Sequence, residues 1–162
     1  MYILLVLFTL VGCGRGYENQ RTIHADVDPD LRDFYYQFLQ YSDRLGVSID
    51  KNLKTLRYVD SIRGNPATTG PIIEGECYSQ YINGQDVRSI DIRRSPYGNN
   101  TPWERTLLRT IVFHEMGHCV IGLKHTEEGS NQIMDPVLTM SAEYMQNNWD
   151  DMVRYEVASK GK

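Results

Sequence analysis

Three of the chain's four histidines fall within one twelve-residue stretch, HEMGHCVIGLKH, residues 114–125. No other segment restricts the fold so tightly, because its spacing sets a local conformation and a side-chain geometry together. Upstream, Thr101-Pro102-Trp103-Glu104 combines a capping box with proline at the first helical position, the clearest helix start in the chain. A helix is expected from there through His118, with Trp103, Leu107, Leu108, Ile111 and Val112 on its apolar side. At about 3.6 residues per turn, His114 and His118 then share one face. Two imidazoles so placed reach one cation at about 2.0–2.1 Å without bending the backbone. Glu115 adjoins the first of them, so its carboxylate can lie beside a water on that metal.

A catalytic zinc usually has a further protein ligand and one open position. His125 follows Gly122, and a glycine there takes the positive φ that ends a helix and turns the chain back under the metal. Glu143, on a downstream helix, is the rival ligand; His125 is preferred because Gly122 supplies its route of return. Zinc suits nitrogen donors with an open position, and iron or copper also accept imidazoles. Cys119 directly follows His118, and adjacent helix positions point about 100° apart, which removes it as a ligand. His24 reads as an exposed histidine away from the metal.

The 162 residues suffice for one domain with a real core, and 41% hydrophobic with 23% charged content is ordinary for a globular chain. A net charge of −4 argues against nucleic acid, since phosphate needs a basic face. Residues 1–13, MYILLVLFTLVGC, form an apolar run too short to span a bilayer but suited to a signal peptide. Residues 14–27 are polar and read as a tether, leaving 28–162 as the domain. Cys77 and Cys119 then make an even pair, expected to form a disulfide in an exported, oxidising setting.

Within the domain, Asp28-Pro29 predicts a helix start with Asp28 as N-cap. Leu31, Phe34, Tyr35, Phe38 and Leu45 follow at helical spacing, and Gly46 supplies the stop. Leu56–Ile62 alternates as a half-buried strand. Ile72–Tyr81 and Val87–Arg93 read as two strands around an Asn83-Gly84 turn. Residues 64–71 and 94–100 are loops by composition. A last helix is expected between Ser141 and Val157, with Tyr144, Met145, Trp149, Met152 and Val153 toward the core.

His114, Glu115, His118, Gly122 and His125 resemble the extended zinc signature of the metzincin metallopeptidases. Ser130-Asn131-Gln132-Ile133-Met134-Asp135-Pro136 is similar to that family's Met-turn, in the form seen in matrixins, which makes Met134 the apolar floor beneath the metal. The chain departs from the family by one extra residue: Cys119, Val120 and Ile121 separate the second histidine from the glycine, where two residues are usual. A local bulge or a differently shaped turn must absorb it, and the chain reads as a divergent branch. The resemblance implies an α+β, zincin-like catalytic domain: a small twisted mixed sheet, an active-site helix, an N-terminal helix and a C-terminal helix. It also implies a Zn²⁺ cofactor and hydrolysis of peptide bonds through a metal-bound water, with Glu115 as general base. An edge strand, here Ile72–Tyr81, would hold an extended peptide or protein substrate.

Leu10-Val11-Gly12-Cys13 resembles the lipobox of bacterial lipoproteins, although no Lys or Arg precedes the apolar run. Cys13 would then be lipidated, anchoring an exported protein to the cell envelope, with membrane contact through the lipid alone. The segment before the first helix is too short for a folded prodomain, and no cysteine is placed as a matrixin-type switch. Two other functions compete: a surface lipoprotein binding module with a catalytically silent zincin fold, and a metal-dependent amidase acting on cell-wall peptides. The intact Glu115 argues against the first, and the second would use the same metal and base. Oligomeric state and substrate preference leave no mark in the sequence.

Overall fold

The structure, a computed structural model, describes residues 25–47, 49, 52–62, 75–93, 101–136 and 140–158. The expected signal and lipidation residue Cys13, most of the tether, His24, residues 72–74 and the two loops at 64–71 and 94–100 lie outside them. The architecture is α+β. A short strand β1 (Asp26–Val27) leads into helix α1 (Arg32–Arg44), then strands β2 (Asn52–Val59), β3 (Gly75–Ile82) and β4 (Gln85–Arg93). Helix α2 (Pro102–Met116) continues into a π-helical turn (Gly117–Ile121), and helices α3 (Ala142–Asn147) and α4 (Trp149–Ala158) follow. No helix among the described residues is long and apolar enough to cross a membrane.

The sheet order is β1-β2-β4-β3; β1 with β2 and β2 with β4 run parallel, whereas β3 and β4 form an antiparallel hairpin. Asn83 and Gly84 both have positive φ, 50° and 80°, as a tight hairpin turn requires. β3 is therefore an edge strand, paired with β4 alone within the described sheet. β2 starts and ends earlier than Leu56–Ile62. A register shift between Leu53 and Thr55 inserts an extra residue, so Leu53 and Leu56 both face the core despite their odd spacing. That bulge conceals the strand's first half from an alternation rule.

The helices lay their apolar faces on the sheet. Leu31, Phe34, Tyr35 and Phe38 of the first helical segment are buried with Leu108, Ile111, Val112, Phe113 and Met116 of α2. Phe113 is the hub, edge-on to Phe38 at 5.2 Å and to Trp149 at 4.8 Å between ring centroids. Each such aromatic pair adds about 0.5–1.5 kcal/mol beyond area burial.

Several local expectations need adjustment. Asp28 does stand at the N-cap with Pro29 at the first helical position, but the first turn, Pro29–Leu31, is 3-10 and the Asp28 carboxylate accepts the Tyr58 N–H at 2.7 Å rather than a helix N–H. The pairing of β1 with β2 brings Asp28 to that strand, where a backbone donor outcompetes the cap. Asp26–Val27 also belongs to the sheet rather than to a tether, and Val27 is buried. The single C-terminal helix is two helices broken at Asn148, whose side chain donates to the Tyr144 carbonyl at 2.9 Å. Met145, Trp149, Met152 and Val153 are buried, but Tyr144 is 40% exposed, as is half of Trp103 at the solvent-facing start of α2. The capping box at Thr101 forms in both directions, with Glu104 N–H on the Thr101 hydroxyl and Thr101 N–H on the Glu104 carboxylate.

Candidate metal centre

His114 stands near the end of α2, His118 in the π-helical turn and His125 on the extended segment beyond Gly122. Their ligand atoms all lie within 4.8 Å of one another. Nε2 of His114 is 3.1 Å from Nε2 of His118 and 3.2 Å from Nε2 of His125. Nitrogens on a tetrahedral zinc at about 2.0–2.1 Å would be about 3.3 Å apart, so the observed spacing fits one shared ion.

The backbone decides which nitrogens converge. Nδ1 of His114 donates to the Ile133 carbonyl at 2.7 Å, and Nδ1 of His118 to the Leu123 carbonyl at 2.8 Å. A ring that spends its proton on Nδ1 presents a lone pair at Nε2. The short contact between His114 and His118 thus joins two acceptors, an arrangement favourable around a cation and repulsive without one. Burial holds both rings neutral: it pushes His114 down to about 4, partly offset by the Ile133 carbonyl, and lowers His118 as well. Neutral imidazole is the metal-binding form. His114 is 9% exposed, whereas His125 faces solvent, so the cluster has one open side.

The three residues between His118 and Gly122 lie within the π-helical turn. Gly117 accepts from Gly122 N–H and from Leu123 N–H, the latter at 2.9 Å, which widens the last turn by one residue. Gly122 then takes φ +77°, and the chain reverses toward His114. An L side chain in that conformation costs about 1–2 kcal/mol. Gly122→Ala is therefore expected to lower unfolding stability by about that much in a denaturant titration, and Gly122→Asn by less.

Met134 packs against Gly117. It is fully buried, and its sulfur lies 2.7 Å from where a Cβ on Gly117 would stand, so only glycine fits between the two helical histidines. The turn around Met134 anchors two of the histidines at once: Ile133 accepts from His114, and the Met134 carbonyl accepts from Thr126 N–H at 3.0 Å, one residue past His125.

Glu115 is buried against the start of β3. A Cβ on Gly75 would meet Glu115 Cγ at 2.4 Å, and the Cys77 N–H donates to the Glu115 carboxylate. Burial pushes this carboxyl up to about 7, with the Cys77 N–H opposing and Glu76 adding to the rise. Gly75→Ala is expected to force Glu115 out of its seat and to cost about 1–3 kcal/mol of stability, read by thermal or denaturant unfolding. A disulfide joins Cys77 to Cys119, whose Cα atoms are 5.5 Å apart.

His114, His118 and His125 come together, and Glu143, exposed on α3, is not part of that cluster. Sequence reasoning missed Gly75 and Gly117, whose lack of a side chain admits Glu115 and Met134, and the carbonyls of Leu123 and Ile133. The glycine preceding His118 was a visible signal; the carbonyls left none, because every residue carries one. The donor set suits a borderline cation with nitrogen preference, zinc foremost. Comparison with protein-family models, curated proteins and solved structures returns no match.

Proposed function

We propose that the chain is a zinc-dependent endopeptidase of metzincin type, with His114, His118 and His125 holding the metal and Glu115 acting as general base. The observation that carries this reading is the convergence of three imidazole nitrogens on one point, two with their other nitrogen already committed to a carbonyl. A bound zinc ion supplies Lewis acidity, polarising the scissile carbonyl and lowering the pKa of an attacking water to about 7.

The remaining steps belong to the protein. Glu115 takes the water's proton as the oxygen attacks the carbonyl carbon, then passes a proton to the leaving amine as the C–N bond breaks. Burial raises the Glu115 carboxyl and a cation beside it would lower it again, opposing effects between which a proton shuttle near neutral pH is set. The Cys77 N–H orients the carboxylate. Met134 fills the space beneath the histidines and keeps water from that side.

The substrate reading draws on β3. In a strand, the N–H and C=O of one residue point the same way. Cys77 directs its N–H away from β4 to Glu115, so Ser79 and Tyr81, two and four residues on, also aim their backbone groups outward. An extended peptide pairing there would run along the strand that carries the base's support. By the same proposal Cys13 is lipidated and the residues between it and β1 serve as a tether from the envelope.

The deciding assay incubates the zinc-loaded chain with casein, a peptide library and peptidoglycan fragments, each with and without a chelator. Cleavage of casein or peptides, lost with chelator and restored by zinc, is expected. Zinc binding with no cleavage of any substrate would mean a binding module, and cleavage of peptidoglycan fragments alone a cell-wall amidase.

A further inference from the structure

We infer that the Cys77–Cys119 disulfide is a positioning device for the metal site, holding the π-helical turn in its widened form so that His125 reaches the cation and Glu115 keeps its seat. This rests on the zinc-peptidase reading above. Cys119 lies in the middle of the π-helical turn and directly follows His118. Cys77 lies on β3, and its own N–H holds the Glu115 carboxylate. One covalent bond therefore ties the strand that supports the base to the turn that carries a metal ligand.

Each end needs that tie. Among the described residues β3 is an edge strand with β4 on one side, so no second described strand presses Gly75–Cys77 onto α2. A π-helical turn is rare and intrinsically less favourable than α-helix. Were Gly117–Ile121 to relax to α-helical winding, the exit at Gly122 would rotate by about 100°, the turn of one residue. His114 and His118 would keep their one-turn spacing, but His125 would swing away from them. Cys119 is fully buried and Cys77 partly so, which leaves the bond open to a reductant from the β3 side.

The test compares the full wild-type chain with the Cys77→Ser/Cys119→Ser pair and with Cys77→Ala/Cys119→Val, which keeps apolar packing. Zinc affinity is read by chelator competition, and ligand geometry by the visible spectrum of the cobalt(II)-loaded protein. Expected are a zinc Kd weakened about 10–100-fold, as for loss of a ligand-orienting partner, an altered cobalt spectrum, and a kcat that falls while KM holds. A folded pair variant with unchanged zinc affinity and cobalt spectrum, even one with a lower melting temperature, overturns the inference. Should neither pair fold, titration of the zinc-loaded wild type with a water-soluble phosphine decides, a thiol being avoided because thiolates chelate zinc themselves. The phosphine is oxidised to its oxide with an oxygen from water as Cys77 and Cys119 return to thiols. Zinc release ahead of the loss of far-ultraviolet ellipticity supports the inference; release only together with unfolding overturns it. Failure of the peptidase reading looks different: there the wild type itself binds no zinc or cleaves nothing.

Discussion

Glu115→Gln is expected to retain a full equivalent of zinc and to lose about 10²–10⁴-fold in kcat, the usual worth of a positioned general base. The substitution preserves shape in a tight seat, because the side chain sits where even a methyl group on Gly75 would collide with it. The amide oxygen still accepts the Cys77 N–H, so β3 keeps its place. What disappears is the group that accepts a proton. Metal content by elemental analysis and turnover on a cleaved peptide separate the two effects. Full activity in this variant would remove Glu115 from the mechanism, and loss of zinc would mean that it is a ligand.

The second large effect falls on His125. Zinc sites of four ligands are worth about 10–16 kcal/mol, which makes one ligand worth about 3–4. At about 1.4 kcal/mol per decade, His125→Ala should weaken zinc binding by about 10²–10³-fold. Among the three histidines it gives the cleanest test. His125 is exposed, so truncation opens no cavity, and the metal-free variant should melt like the metal-free wild type. His114→Ala would instead hollow a nearly buried position and leave the Ile133 carbonyl without its donor. Equal zinc affinity for wild type and His125→Ala would reduce the site to two histidines.

What the sequence disclosed about this molecule was mostly local. The Thr101 capping box, the Asn83-Gly84 hairpin and the positive φ at Gly122 depend on a few neighbouring residues, and each is legible at that range. His114 and His118 are one helical turn apart by covalent spacing alone. His125 joined them in the reading because a glycine explained how the chain could turn back. The same sequence shows three residues between His118 and Gly122, one more than in the signature it resembles, but not what backbone winding they adopt. A π-helical turn has no composition of its own, and its partners on β3 are some forty residues away, the disulfide spanning a separation of 42.

Longer-range competition accounts for the misses. Asp28 has the chemistry of an N-cap, yet the Tyr58 N–H, thirty positions distant, takes its carboxylate. Trp103 and Tyr144 are apolar enough for a core but fall on helix faces that look outward. The bulge near Lys54 breaks the alternation by which Leu53 would have been recognised. Glu115 was found by its position next to His114, whereas its seat against Gly75 arises from strand-to-helix packing that no local pattern records.

The most direct test of the three-histidine centre is X-ray absorption at the zinc edge of the wild-type chain carrying one equivalent of metal. The account predicts three imidazole nitrogens at about 2.0–2.1 Å with one exchangeable oxygen ligand completing the shell. A shell with fewer than three imidazoles, or one containing sulfur, would contradict it.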